Sequence, residues 1–422
     1  TDIFDEFMEN NQLYQTALSD IDDDQILKHF LHGRLPEHLA DDLMTFLDVV
    51  KKPIAIRSSS LLEDSHYQPF AGIYSTYMIP YVEDKYQRLR MLSDAIKGVY
   101  ASVFYKDSKA YMAATSNVID QEKMAVIMQE VVGTQYGTRF YPNISGVARS
   151  VNYYPIGDEK AEEGTVSLAL GLGKYIVDGG LTLRVCPYHP DKVLQTSEME
   201  MALRETQTQF YALDMSKSVD EIHVDDGFNL LKLSVKEAVE DGAMNFIAST
   251  YDPYDMTIRD GLYEGGRKLA TFCGVLQHDV FPLPELLQMA MKYGQSEMRR
   301  AVEIEFAVKL NPDRTGTFYL LQIRPMVDCK MEMDEDIRLI PDEDTLIRSH
   351  KSIGHGIVTG VKDIIYVKTE NFSASNNQQT AYDIEKMNKK FIESGEGYVL
   401  VGPGRWGSSD PWLGIPVKWP YI

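Results

Sequence analysis

A pair of alternating segments near residue 310 constrains the fold more than any other feature of the chain. VEIEFAVKL (302–310) is followed by NPDRTG (311–316) and then by TFYLLQIRPMV (317–327). Apolar and polar side chains alternate along both segments, which is typical of strands, and the polar residues between them favour a turn. The pattern therefore predicts an antiparallel hairpin with one apolar face and one polar face.

The register of this hairpin decides which polar side chains meet. If Leu310 lies opposite Thr317, an antiparallel arrangement pairs Glu305 with Gln322, Glu303 with Arg324, Ile304 with Ile323 and Phe306 with Leu321. Carboxylate and amide oxygens suit Mg²⁺, which usually shares them with nucleotide phosphates, and an arginine grips phosphate through its planar fork of donors. The pattern alone equally allows an exposed face that carries a Glu–Arg pair.

A second polar signal lies at the end of the apolar segment that opens IAIRSSSLLED. Arg57, followed by three serine hydroxyls, could form a phosphate or anion pocket. The alternative is a capped strand end with a surface pair between Arg57 and Asp64. QPFAGIYSTYM follows directly, and its Gly72 permits the close backbone approach that a lid over phosphates needs, although it also fits an ordinary turn.

Composition excludes several classes of function. The chain has 42 basic and 63 acidic residues and a formal net charge of -21, which argues against a protein that coats nucleic acid. Its 3 cysteines stand far apart, so they predict neither a disulfide framework nor a zinc site. The longest apolar run is too short to span a bilayer, and no secretory leader is visible. We therefore expect a cytoplasmic protein with no nucleic-acid or membrane partner.

The chain has 422 residues, which is long enough for two or three domains. The spacing of its apolar and polar residues predicts three segments. Residues 1–50 have the spacing of apolar residues that amphipathic packing helices show. Residues 51–329 alternate short strand candidates with helices, and residues 330–422 begin with an acidic linker and continue with a strand, a helix and a glycine-rich tail. We expect an α+β (mixed α/β) fold with a smaller C-terminal α/β domain.

Taken in order, these segments resemble the nucleotide-binding domain of the phosphoenolpyruvate synthase and pyruvate phosphate dikinase family. IAIRSSSLLED…FAGIYSTYM is similar to that family's Arg-Ser-Ser…Phe-Ala-Gly…Thr block, and MAVIMQEVV resembles its hinge strand. SGVARSV, LGLGKYIVDGG and the pair VEIEFAV…YLLQIRP resemble its Ser-Gly-Val strand, its Gly-Leu-Gly block and its closing hairpin. Order and spacing agree over residues 50–327, and five linked blocks are far more specific than any one of them.

The resemblance implies a fold of the ATP-grasp type, which holds ATP between two α+β subdomains, and a kinase that transfers phosphate from Mg-ATP. It also implies a role for each matching residue: Arg57 and Arg324 contact phosphates as catalytic residues, Gly72 and Thr76 belong to a phosphate-covering loop, Gln129, Glu130 and Val131 lie along the adenine, Glu305 and Gln322 hold Mg²⁺, and Glu303 supplies a further Mg²⁺ or water contact. ATP and Mg²⁺ are therefore the cofactors that the resemblance implies.

Three departures from the family pattern leave the reaction open. No Gly-Gly-Lys block, whose lysine helps the family to hold phosphates, is found before Arg57. Lys174 replaces a usual acid in the Gly-Leu-Gly block, and residues 330–422 contain no Ser-His-Ala motif with a phosphate-accepting histidine. One hypothesis is an ATP-dependent phosphotransferase domain that passes phosphate to water, a separate phosphohistidine domain or a small molecule. The alternative is a regulatory module that binds nucleotide without transferring phosphate.

Overall fold

The structure is a computed structural model that describes residues 2–60, 74–114, 122–152, 155–216, 221–326, 340–348, 360–370, 372, 376–403, 406 and 415–417. The chain separates into two compact units, Thr1–Asp328 and Cys329–Ile422. Helices and sheets are mixed in it, which confirms the predicted α+β class. The domain bounds proposed from the sequence (1–50, 51–329 and 330–422) stay predictions.

The first unit contains twelve α-helices within its described residues: α1 (Asp2–Asn10), α2 (Tyr14–Ala17), α3 (Asp23–His32), α4 (Glu37–Val49), α5 (Lys85–Ser102), α6 (Lys106–Ala114), α7 (Lys174–Val177), α8 (Leu194–Ser197), α9 (Met199–Glu205), α10 (Val235–Glu240), α11 (Cys273–Leu276) and α12 (Leu283–Met298). In the part of the chain that the structure describes, no helix combines the length and the apolar character needed to cross a membrane.

The strands of the first unit are β1 (Ile54–Ser60), β2 (Tyr77–Ile79), β3 (Met124–Glu130), β4 (Thr134–Tyr136), β5 (Arg139–Tyr141), β6 (Ile144–Arg149), β7 (Thr165–Ala169), β8 (Leu183–Val185), β9 (Gln209–Asp214), β10 (Leu230–Ser234), β11 (Ala248–Asp252), β12 (Thr257–Asp260), β13 (Arg267–Ala270), β14 (Val302–Leu310) and β15 (Gly316–Pro325). They form four sheets, with the strand orders β2-β1-β3, β10-β9-β5-β4, β12-β11-β13 and β15-β14-β6-β7-β8.

The N-terminal helices pack against the first of these sheets. In α3, for example, the Asp22 carboxylate caps the first turn by accepting a hydrogen bond from a backbone N–H three residues further on. The apolar faces of the helices share one buried core with Ile54 and Ile56 of β1. Because side chains alternate along a strand, Ala55 and Arg57 face the opposite side of the sheet, as the sequence predicts.

A second apolar core lies on the five-stranded sheet, where β14 stands between β15 and β6. Gly146 of β6 pairs with Phe306 of β14, whose ring is almost completely buried and stacks on Phe318 at 5.2 Å between centroids. A Cβ atom at position 146 would lie 2.2 Å from Cζ of Phe306. The close fit of these two strands therefore requires glycine at position 146.

The hairpin of β14 and β15 confirms the predicted polar pairs and corrects the pairs nearer to the turn. Glu303 pairs with Arg324, Ile304 with Ile323 and Glu305 with Gln322, whereas Phe306 pairs with Leu320 instead of Leu321, and Leu310 pairs with Gly316 instead of Thr317. The loop is one residue shorter than predicted because the Asn311 N–H donates to the Thr315 carbonyl at 2.8 Å. A bulge at Leu321 takes up the extra residue.

The second unit contains a small parallel sheet in its described residues. β16 (Asp363–Tyr366) and β17 (Tyr398–Val401) pair in parallel, and α13 (Asn377–Ser394) connects them. Ile365, Ile384, Ile415 and Val417 form its buried core. A strand, a helix and a second parallel strand are the elements of a βαβ unit.

Replacing Gly146 by alanine, with the same change at Gly173 as a control, tests the packing of β6 on β14. Gly146→Ala should lower the free energy of unfolding by about 1–3 kcal/mol, because the new methyl group collides with Phe306. Gly173→Ala should change it by less than about 1 kcal/mol, because Gly173 already has helical backbone angles and its nearest neighbour would be 3.8 Å from the new carbon. Urea unfolding of both variants checks this, and equal losses would contradict it.

Candidate functional site

A cleft of about 1070 Å³, part of it open to solvent, lies in the first unit. Its walls come from the β2-β1-β3 sheet and from the β15, β14 and β6 strands of the five-stranded sheet. A concave space lined by apolar side chains and a few polar groups suits a small molecule. Among the predicted site residues, Arg57, Thr76, Gln129, Glu130, Val131 and Glu305 line the cleft, whereas Gly72 lies outside the described residues.

The β2-β1-β3 sheet forms one wall of the cleft. Met78 and Gln129 lie opposite Ala55 on the two neighbouring strands, and all three side chains line the cleft because opposite residues share a face. Beyond the end of β3, the Val131 N–H donates to the Pro53 carbonyl at 2.8 Å. This hydrogen bond keeps the segment from Gln129 to Val131, which the resemblance assigns to the adenine, beside β1.

Arg57 joins the two walls. Its Nη2 atom donates to Glu305 Oε2 at 2.7 Å and to Gln322 Oε1 at 2.6 Å. The Arg57 and Glu305 side chains are 21% and 24% exposed, so the ion pair is shielded from bulk solvent and still accessible from the cleft. The fold thus brings together one predicted phosphate contact and both predicted Mg²⁺ ligands.

The bulge in β15 adds a second link between the walls. A bulge leaves its extra residue out of the regular ladder of hydrogen bonds. The Leu321 carbonyl therefore accepts a hydrogen bond from Gln129 Nε2, at 3.2 Å, across the cleft. The same irregularity that shifts the hairpin register thus holds the two sheets together at the cleft.

The oxygens beside Arg57 suit a magnesium ion. Glu305 and Gln322 each direct one oxygen at the same guanidinium nitrogen of Arg57. Two hard oxygen donors therefore face the same point. Among the described residues, no group of three or more His, Cys, Asp or Glu side chains could hold a metal. Mg²⁺ commonly binds through one or two carboxylates and takes its other ligands from water and substrate phosphates, which fits this sparse donor set.

Glu303 lies between two arginines. Its Oε2 atom accepts a hydrogen bond from Arg149 Nε at 2.7 Å, and its Oε1 atom accepts one from Arg324 Nε at 3.0 Å. Burial raises the pKa of the Glu303 carboxyl, but the charges of Arg324 and Arg149 lower this pKa by more. Glu303, Arg324 and the predicted Mg²⁺ ligand Gln322 are not among the described residues that line the cleft. The pairing of Glu303 with two arginines argues against Glu303 as a further Mg²⁺ contact.

Three charged residues of the cleft, Lys174, Asp178 and Asp226, were not predicted as site residues from the sequence. Lys174 Nζ lies 3.1 Å from Asp226 Oδ1 and 3.1 Å from Asp178 Oδ1, and the Thr76 N–H donates to Asp226 Oδ2 at 2.8 Å. Burial lowers the pKa of Lys174, but the two carboxylates raise this pKa overall, so the ammonium stays charged. Lys174 stood out in the sequence as a departure from the Gly-Leu-Gly block, whereas Asp226 belongs to no pattern.

Comparison with known proteins relates the chain to nucleotide-dependent enzymes. Residues 1–344 match the family described as pyruvate phosphate dikinase, AMP/ATP-binding domain. The uncharacterized phosphotransferase YvkC of Bacillus subtilis is 27% identical over 179 residues, which cover 42% of this chain and 19% of that protein. Phosphoenolpyruvate synthase of Aeropyrum pernix is 24% identical over 364 residues, which cover 85% of this chain and 37% of that protein. Each match therefore spans well under half of the relative.

Glu303→Gln should destabilise the protein in a pH-dependent way. Because the pKa of Glu303 in the folded protein lies below its ordinary value of 4.5, the ionised carboxyl stabilises the fold above that pH, and this contribution is lost as the pH falls through the folded-state pKa. We expect the variant to lose on the order of 1–3 kcal/mol of unfolding free energy at neutral pH, and less below about pH 4. Urea unfolding of the wild-type protein and the variant at each pH measures both losses of unfolding free energy. A loss that stays constant down to about pH 3.5 would contradict the pairing.

Proposed function

The chain belongs to the pyruvate phosphate dikinase AMP/ATP-binding domain family, which confirms the resemblance found in its sequence, and from this premise we propose that it is the ATP-binding domain of a phosphotransferase. In this proposal, the cleft holds Mg-ATP and presents the terminal phosphate to an acceptor. Two relatives carry the names phosphotransferase and phosphoenolpyruvate synthase, and both extend beyond the matched region, which supports a separate acceptor site.

One observation carries the proposal, the convergence of Arg57, Glu305 and Gln322 at the cleft. Arg57 is separated from the other two by 248 and 265 residues along the chain, so the fold has to bring them together. A cationic fork beside two hard oxygen donors is the combination that a metal-bound phosphate needs.

The two predicted phosphate contacts, Arg57 and Arg324, fit the demands of phosphoryl transfer. This reaction needs little covalent chemistry from the protein, and depends on positioning and on neutralising charge at the phosphate oxygens. The guanidinium of Arg57 has five N–H donors, and its contacts to Glu305 and Gln322 use a single nitrogen. Its remaining donors can bind phosphate oxygens. Arg324 is held by Glu303, which lies two residues before Glu305 on β14.

Glu305 and Gln322 would hold the magnesium ion of Mg-ATP. When bound, such an ion neutralises charge on the phosphate oxygens during transfer. The residues Gln129 to Val131, together with the apolar side chain of Met78, offer the adenine a surface beside Ala55 of β1. Polar backbone groups beside apolar side chains are what an aromatic base with hydrogen-bonding edges requires.

We propose that the acceptor is a separate group. Among the described residues that line the cleft there is no histidine, so a phosphohistidine intermediate at this site would have to come from another domain or another protein. A small molecule could also take the phosphate, and water would give slow hydrolysis. The cleft carries four carboxylates, which makes a nucleic-acid acceptor unsuitable.

Arg324→Ala should retain the fold and lower the turnover of Mg-ATP by on the order of 10²–10³-fold, the usual cost of losing one electrostatic contact to the reacting group. Glu303 keeps its second partner, Arg149, in this variant, so we expect little change in structure. Arg204→Ala is the matched control, because Arg204 is 69% exposed and pairs with its neighbour Glu205. Chromatographic analysis of the nucleotide products with time measures turnover, and circular dichroism verifies folding.

Turnover of Arg324→Ala at the wild-type rate would contradict the assignment of Arg324. A wild-type protein that binds Mg-ATP tightly and turns none of it over, even with candidate acceptors present, would favour the alternative, a regulatory module that holds nucleotide. That outcome would keep the binding site and remove the reaction.

A further inference from the structure

Lys174 is a charged residue of the cleft to which the proposed function gives no role. We propose that its ammonium group binds the β- or γ-phosphate of the nucleotide, as a second phosphate-binding cation opposite Arg57. The inference rests on the proposed function and adds a residue to it. Lys174 begins the short helix α7 directly after Leu172 and Gly173, and all three residues line the cleft.

The position of Lys174 along the cleft follows from its link to Thr76. Asp226 contacts Lys174 through one carboxylate oxygen and the Thr76 N–H through the other. In the β1–β2 register, Ile56 pairs with Tyr77, so the next position along places Thr76 beside Arg57. Lys174 is therefore tied to the middle of β1, where Arg57 lies.

The start and the middle of β1 would serve different parts of a nucleotide. Gln129 pairs with Ala55, and the Val131 N–H bonds to the Pro53 carbonyl, so the segment proposed for the adenine lies at the start of β1. Arg57 is two residues further along than Ala55, at a rise of roughly 3.3 Å per residue. A nucleotide with its base at the start of β1 directs its phosphates toward Arg57, and hence toward Lys174.

The charge balance of the cleft explains why a second cation is needed. Among the described lining residues, the carboxylates are those of Glu130, Asp178, Asp226 and Glu305, and the cations are Arg57 and Lys174. Of these four carboxylates, Glu130 is paired with a cation outside the described lining, Lys52 at 2.7 Å. A triphosphate entering this acidic space requires each available cation to face it.

The geometry of the ammonium group allows this additional contact. An ammonium has three N–H donors, and Asp226 and Asp178 account for two of them at 3.1 Å each. The Lys174 side chain is 23% exposed, so the group is held in place and still reachable from the cleft. A competing explanation is that Lys174 only neutralises Asp226, and the experiment has to separate the two.

Calorimetric titration with Mg-ATP and with AMP tests the inference on the full chain. Lys174→Met should weaken Mg-ATP binding by on the order of tenfold or more and change AMP binding by less than about twofold, because AMP lacks the outer phosphates. Lys174→Arg should retain most of the affinity for Mg-ATP. Lys192→Met is the matched control, since Lys192 pairs with Asp158 on the exposed surface and does not line the cleft.

The double variant Lys174→Met with Asp226→Asn separates the two explanations. Asparagine keeps an oxygen for the Thr76 N–H and removes the charge. We expect Mg-ATP binding to stay weak in the double variant, whereas full recovery would mean that Lys174 only neutralises Asp226 and would overturn the inference. If Lys174→Met does not fold by circular dichroism, Lys174→Gln takes its place in both comparisons.

Two further outcomes would overturn the inference. Equal losses for AMP and Mg-ATP would locate the contact on the nucleoside or the first phosphate, and unchanged Mg-ATP binding in Lys174→Met would exclude any contact. Both outcomes leave the proposed function intact, because the wild-type protein still binds Mg-ATP. A folded wild-type protein that binds neither nucleotide would instead overturn the proposed function, and this inference with it.

Discussion

The contact of Arg57 with Glu305 and Gln322 is the interaction on which the rest of the site depends. It joins a strand of one sheet to a hairpin of another, and the cleft exists between these two sheets. Two features of the same sheet lie close in sequence to the residues of this contact. Gly146 leaves room for the ring of Phe306, and the bulge at Leu321 provides the carbonyl that Gln129 binds across the cleft.

The electrostatics of the cleft follow from an acidic chain that has to bind an acidic ligand. Carboxylates outnumber cations among the described residues of its lining, so every guanidinium and ammonium group there is already paired with a carboxylate. Such pairing holds flexible side chains in position before a ligand arrives, which lowers the entropy lost on binding. It also predicts that nucleotide binding requires a divalent cation, because the phosphates would otherwise face a net negative surface.

Much of the fold and part of the site could be predicted from the sequence, since strand alternation is a local property. The pairs of Glu303 with Arg324 and Glu305 with Gln322 followed from counting along two strands. The pairs beyond them were wrong because a hydrogen bond closes the turn one residue early, and a bulge leaves no mark in an alternating pattern. Asp226 was missed for a different reason, since its contact with Lys174 depends on the path of the chain between sheets.

The long-range contacts could be anticipated only through the family resemblance. Nothing in IAIRSSS or YLLQIRP by itself indicates that Arg57 reaches Gln322, because that contact depends on how two sheets face each other. The resemblance suggested a role for each separate segment, and the structure supplies the distances between their side chains. Lys174, which departs from the family pattern, contacts both Asp226 and Asp178 in the cleft.

The most direct test of this account is a crystal structure of the chain with Mg²⁺ and a non-hydrolysable ATP analogue. We expect the adenine to lie along Gln129 to Val131, the metal to bind to Glu305 and Gln322, and the phosphates to contact Arg57. A nucleotide bound outside the cleft, or a metal held by other side chains, would contradict it.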